Sequence, residues 1–160
     1  MLRRRLSFVF ITILCGCSLL SCDSTRIFES YFSFENHNWD KDEIVVFEYE
    51  SDSIYAKAIK FSVNLRFDPS YSYRNLWTFL DIQLPNGKQI KDTLNLLLMD
   101  EQGRYLSHVS GGSTKESKHY YKFAVTNPPK GKYIIKLQQA MREESLDNIV
   151  AVGARIEKIE

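Results

Sequence analysis

The chain has 160 residues, with 21 Lys or Arg set against 20 Asp or Glu, for a formal charge of +1. That balance excludes a globally basic nucleic-acid binder. At 44% apolar, 26% charged and 13% aromatic, with only seven Gly and four Pro, the chain is neither disordered nor collagen-like and can build one packed core.

In chain order, the first element is a targeting segment. Arg3, Arg4 and Arg5 form a positive start, and residues 6–20 are mostly apolar, broken by Ser7, Thr12, Gly16 and Ser18. This stretch is too short and too polar for a membrane span, which needs about 20 apolar residues. It runs into Leu19-Leu20-Ser21-Cys22, an aliphatic pair and a small residue before a cysteine, the order of a bacterial lipoprotein processing signal. Residues 1–21 are expected to be a lipoprotein signal peptide, with Cys22 lipidated at the new N-terminus. Leu14-Cys15-Gly16-Cys17 is a poorer second site, and an ordinary secretory signal is the alternative reading. Cys15, Cys17 and Cys22 are the only cysteines. Cleavage before Cys22 leaves one thiol, which permits neither an intramolecular disulfide nor a thiolate metal cluster. Loss of three arginines turns the charge from +1 to −2, so electrostatic attraction to anionic lipid is not the main anchor. Residues 22–27 then form the lipidated cysteine and a short polar tether, and residues 28–160 a single domain held close to its membrane.

From there the sequence predicts strand after strand. Ile59, Phe61, Val63, Leu65 and Phe67 alternate with Lys60, Ser62, Asn64 and Arg66, one apolar and one polar face at period two. Tyr121, Phe123 and Val125 repeat the pattern, as do Tyr133, Ile135 and Leu137, and then Val150, Val152, Ala154 and Ile156. β-Branched and aromatic runs at 28–34, 44–49, 76–84 and 94–99 bring the expected number to eight or nine strands. Turn signals separate them at Asp68-Pro69-Ser70, Pro85-Asn86-Gly87, Glu101-Gln102-Gly103, Gly111-Gly112-Ser113 and Asn127-Pro128-Pro129-Lys130-Gly131. The pattern predicts an all-β fold, an antiparallel β-sandwich. Residues 138–146 alone have helix-forming composition and are expected to form a short connecting helix.

Catalytic signatures are missing from this framework. His37, His108 and His119 lack metal-ligand spacing and are read as surface histidines. The serines sit in no G-x-S-x-G elbow, and Gly111-Gly112-Ser113-Thr114-Lys115 lacks the spacing of a phosphate loop. Glu143 and Glu144 point apart on any regular element. The expectation is no enzyme, no metal and no cofactor. Residues 71–79 carry Tyr71, Tyr73, Asn75, Trp77 and Phe79, which either bind a sugar or a protein partner from an exposed sheet or place Trp77 and Phe79 in the core with the tyrosines beside the turn.

Five motifs occur in order: Tyr71-x-Tyr73-x-Asn75-Leu76-Trp77-x-Phe79, Leu84-Pro85-x-Gly87, Asp92-Thr93-Leu94, Gln139-Ala140-Met141-Arg142 and Val152-Gly153-x-Arg155-Ile156-Glu157-Lys158. Together they resemble the gliding-motility lipoprotein GldH family of the Bacteroidetes. The chain departs from the expected pattern at Tyr105, where tryptophan is common. The resemblance implies a lipid-anchored, non-enzymatic scaffold or partner-binding component of the gliding and secretion-associated envelope machinery, with other envelope lipoproteins or gliding-machinery proteins as partners. A glycan-binding β-sandwich lipoprotein is the alternative. Asp23 is the only acid between Cys22 and Arg26, and the expected location is the outer membrane, facing the periplasm. The resemblance also makes Ser24, Ser53 and Thr93, each after an aspartate, candidate O-glycosylation sites. Tyr71, Tyr73, Asn75, Gln139, Arg142 and Arg155 are the candidate partner-binding residues. Their structural alternative is that the polar members pin sheet edges and residues 138–146 through backbone carbonyls.

Overall fold

The computed structural model describes residues 23–52, 56–106 and 114–159. The signal segment with Cys22, Ser53, His108 and the Gly111-Gly112-Ser113 turn lie outside these residues. The described residues form ten strands: β1 Arg26–Ser33, β2 Asn38–Asp40, β3 Val45–Ser51, β4 Ala58–Phe67, β5 Asn75–Gln83, β6 Gln89–Leu97, β7 Lys115–Thr126, β8 Gly131–Gln139, β9 Ser145–Asp147 and β10 Ile149–Ile159. A first sheet has the order β1-β10-β4-β7 and a second the order β3-β8-β5-β6, with the small pair β2-β9 beside them. All pairings are antiparallel. The expected sandwich is therefore the observed architecture, its count raised by the three-residue strands β2 and β9.

The period-two pattern of β4 explains the core. Ile59, Phe61, Val63, Leu65 and Phe67 are buried on its inner face, opposite Val152, Ala154 and Ile156 of β10. From the second sheet, Val45, Phe47, Leu76, Leu80, Ile82, Leu96, Tyr133, Ile135 and Leu137 close the other side. Trp39 is fully buried at one end, stacked on Phe34 at 5.1 Å between ring centroids. Removing such side chains from water is the main favourable contribution to the fold.

One local expectation is corrected, and one pair of alternatives is resolved. Residues 138–146 form no helix: β8 runs through Gln139, the chain bends over 141–144, and β9 follows. Buried Gln139 captures the bend, donating Nε2 to the Glu143 carbonyl at 3.0 Å and accepting the Met141 N–H at 2.9 Å. Helix propensity loses here to tertiary hydrogen bonding. Trp77 and Phe79 do not fill the core but are 41% and 50% exposed. The inward phase of β5 is carried by Leu76, Thr78, Leu80 and Ile82, with the Thr78 hydroxyl donating to the Gln138 carbonyl at 2.9 Å. Tyr71 enters the core instead, edge-on to Phe67 at 6.2 Å.

Strand direction sorts the loops. Ala58 of β4 pairs with Ile159 of β10, and Ser51 of β3 with Gly131 of β8, so these residues mark one end of the sandwich, near residues 23–25. At the other end lie Phe67, Ile149, Gln139, Asn75 and the β2-β9 pair.

Candidate functional site

A cleft of about 320 Å³ opens at that second end, on the outer face of the second sheet. Three of the predicted partner-binding residues line it, Tyr73, Asn75 and Arg142, together with Trp77, Met141 and Glu143. Their approach follows from local structure. Alternation along β5 sends Asn75 and Trp77 outward, and the Gln139-held bend folds Met141 and Arg142 back toward them. The Trp77 N–H meets Met141 Sδ at 3.3 Å, and the Ala140 N–H donates to the Trp77 carbonyl at 2.7 Å. Tyr73 donates its hydroxyl to Glu143 Oε1 at 2.7 Å, an interaction that raises the tyrosine pKa above its ordinary value. Asn75 Nδ2 donates to Asn95 Oδ1 at 2.7 Å.

The other candidates stand apart from the cleft surface. Tyr71 lies beneath it, donating to the Asn75 carbonyl at 3.2 Å and meeting the Tyr73 ring edge-on at 5.7 Å; burial pushes its phenol well above the ordinary range. Gln139 is buried and shapes the bend. Arg155 sits on the opposite sheet, nearly buried. Its Nε donates to Glu157 Oε1 at 2.8 Å and its Nη1 to Glu29 Oε2 at 3.1 Å, while Nη2 pairs with Asp23. It thus binds carboxylates where backbone carbonyls were the expected structural partners. Hydrogen bonding to Arg155, then to Thr25, holds the Asp23 carboxyl far below its usual range. Burial opposes the ionisation of Glu29 and Glu157, but hydrogen bonds from Arg26 and Arg155 to the first, and from Lys118 and Arg155 to the second, hold both pKa values below the ordinary 4.5.

By contrast, Arg142 is exposed and has no ion pair or hydrogen bond among the described residues. Sequence reasoning named it but missed Met141 and Glu143 beside it. A strict phase assignment on β5 would have found the outward aromatic: Leu80, Ile82 and Leu84 share one parity, and Trp77 shares the other with Asp81 and Gln83.

Of the candidate modification sites, Ser24 is exposed just before β1, and Thr93 is exposed on β6 opposite Phe79. Among the described histidines, His37 Nδ1 lies 2.8 Å from Asp68 Oδ2 at the surface. His119 is half-buried: it pairs with Val63, on the side of the sheet that faces the core, and burial pushes its pKa down to about 4. Among the described residues no three His, Cys, Asp or Glu are grouped to hold a metal ion.

The GldH lipoprotein family model matches residues 26–156, from the first residue of β1 to the inner-face Ile156 of β10. The chain is 38% identical to a gliding motility lipoprotein GldH homolog of Christiangramia forsetii, over 94% of each chain. It is 37% identical to the gliding motility lipoprotein GldH of Flavobacterium johnsoniae, over 92% of this chain and 94% of the relative. The motif order, the sandwich and these matches agree: the chain belongs to the GldH lipoprotein family.

Proposed function

We propose that the protein is a non-enzymatic, partner-binding component of the gliding and secretion-associated envelope machinery, anchored in the outer membrane by lipid on Cys22 and facing the periplasm. The observation that carries this reading is the cleft, where an unpaired Arg142 stands beside exposed Trp77 and the Met141 thioether. Trp and Arg dominate the binding energy of protein interfaces, and a guanidinium offers a partner carboxylate two parallel hydrogen bonds. The other polar side chains of the cleft already have partners, Tyr73 in Glu143 and Asn75 in neighbouring Asn95, which suits recognition better than proton transfer. The occupant supported is an envelope protein presenting an acidic side chain next to an apolar one.

Position adds to the argument. Asp23 follows Cys22 directly and is held to Arg155 at the outer face of the first sheet. The cleft lies on the other sheet at the opposite end, roughly 25–30 Å away along strands that rise about 3.3 Å per residue. A lipid on Cys22 therefore leaves the cleft facing away from the membrane. A photo-crosslinking amino acid in place of Met141 in the lipidated protein should capture one envelope protein, and the same group in place of Glu50 should not. Equal capture from both positions, or none from 141, contradicts the proposal.

A further inference from the structure

A second feature of the outer face of the second sheet is separate from the cleft. A groove of about 550 Å³ runs past Phe79, capped by the exposed Ile44. Phe79 is half exposed, and its neighbours across the sheet are polar on both sides: Gln138 of β8 and Thr93 of β6 pair directly with it. One row further along, Asp81 is flanked by Lys136 and Lys91. An apolar ring lying open on a sheet and bordered by donors and acceptors matches a pyranose. Such a sugar has a C–H face to stack on the ring and hydroxyls around its edge for the polar groups.

The polar groups are not equally committed. Asp81 is engaged by Lys91 at 3.4 Å and by Gln89 Nε2, which reaches both carboxylate oxygens at 2.9 and 3.0 Å. Asp92, also at the groove, is engaged by Lys122 at 2.9 Å and by the Tyr121 hydroxyl at 3.2 Å. Gln138 donates Nε2 to the Lys41 carbonyl at 2.7 Å, which leaves its side-chain oxygen as an acceptor. Lys136, across the sheet from Asp81 and one row from Phe79, has no ion pair or hydrogen bond among the described residues, so its ammonium is free to take a ligand. A carboxylate on the ligand would complete it with a charge-assisted hydrogen bond.

We infer that this groove binds an acidic polysaccharide, stacking one sugar on Phe79 and meeting a uronate carboxylate with Lys136. The site differs from the Arg142 cleft, so either stands if the other fails. The test is retention of the full lipidated protein, in detergent, on immobilised polygalacturonate, with dextran as the neutral counterpart and polyglutamate as an acidic peptide. The inference expects retention on polygalacturonate alone, weakened at least tenfold by Phe79→Ala and by Lys136→Ala, with Lys130→Ala, an exposed cation outside the groove, behaving as wild type and all variants melting normally. Absence of retention overturns it. Equal retention on dextran removes the acidic ligand, and equal retention on polyglutamate assigns the groove to a peptide. Loss in Lys136→Ala with unchanged binding in Phe79→Ala reduces the effect to ion exchange and also overturns the inference.

Discussion

At the residue scale, two arginines from neighbouring motifs have opposite fates. Arg155 is the hub of a network on the outer face of the first sheet, joined to Glu29, Glu157 and Asp23, with Lys118 on Glu157 at 2.8 Å. Gly153 makes room beside it: a Cβ there would lie 2.8 Å from the Tyr31 ring, which crosses the sheet to reach Asn64 and Glu116. Arg155→Ala removes one partner each from buried Glu157 and half-buried Glu29, which keep Lys118 and Arg26, and should cost about 1–3 kcal/mol in chemical denaturation. Gly153→Ala should cost about 1–3 kcal/mol through overpacking. Arg142→Ala, at the surface with no partner among the described residues, should stay within about 0.5 kcal/mol of wild type. The depressed pKa values of Glu29 and Glu157 give the acid response its sign. Their stabilisation is present above the unfolded value of 4.5 and is lost as pH falls through the lower folded values.

At the element scale, β7 adds a second pH dependence in a different window. His119 is paired with Val63, with Nε2 3.0 Å from Ser117 Oγ, and its folded pKa is lowered to about 4 from 6.5. The unfolded chain therefore binds a proton first, and stability should fall between pH 6.5 and pH 4 by on the order of 3 kcal/mol. Urea melts of His119→Gln should show a flatter profile in that interval, with the carboxylate-driven loss below it retained. The bend between β8 and β9 rests on Gln139, and Gln139→Ala should cost about 1–3 kcal/mol by removing both of its hydrogen bonds to the bend. These elements also mark how far the sequence could be read. β4 was legible because each apolar residue alternates with a polar one. β5 is ambiguous in sequence because its inward face includes Thr78 while its outward face carries Trp77 and Phe79, so residue size argues against parity. The bend at 139–145 was illegible because one side-chain amide, satisfied only in three dimensions, outweighs helix-forming composition. The motifs pointed to Tyr73, Asn75 and Arg142 as site residues. Only the folded chain separates them from Arg155, whose sequence neighbourhood looks equally polar.

At the scale of the whole molecule, antiparallel topology separates the two tasks proposed for it. Residues 23–25 are tied to the end of β10, where the Lys158 N–H donates to the Thr25 carbonyl at 2.8 Å and Arg155 holds Asp23. The cleft with Trp77 and Arg142 occupies the far end of the other sheet. A lipidated Cys22 would thus place the anchor on one face and recognition on the other, with no long linker between them. The central claim is that this far cleft, and not the fold in general, holds the partner. Co-purification of the lipid-anchored protein from its native envelope, comparing wild type with Arg142→Ala and Trp77→Ala at matched expression, tests it most directly. The account predicts that both variants melt like wild type and lose the co-purifying envelope protein by at least tenfold; variants that melt normally and retain the full amount of that protein would contradict it.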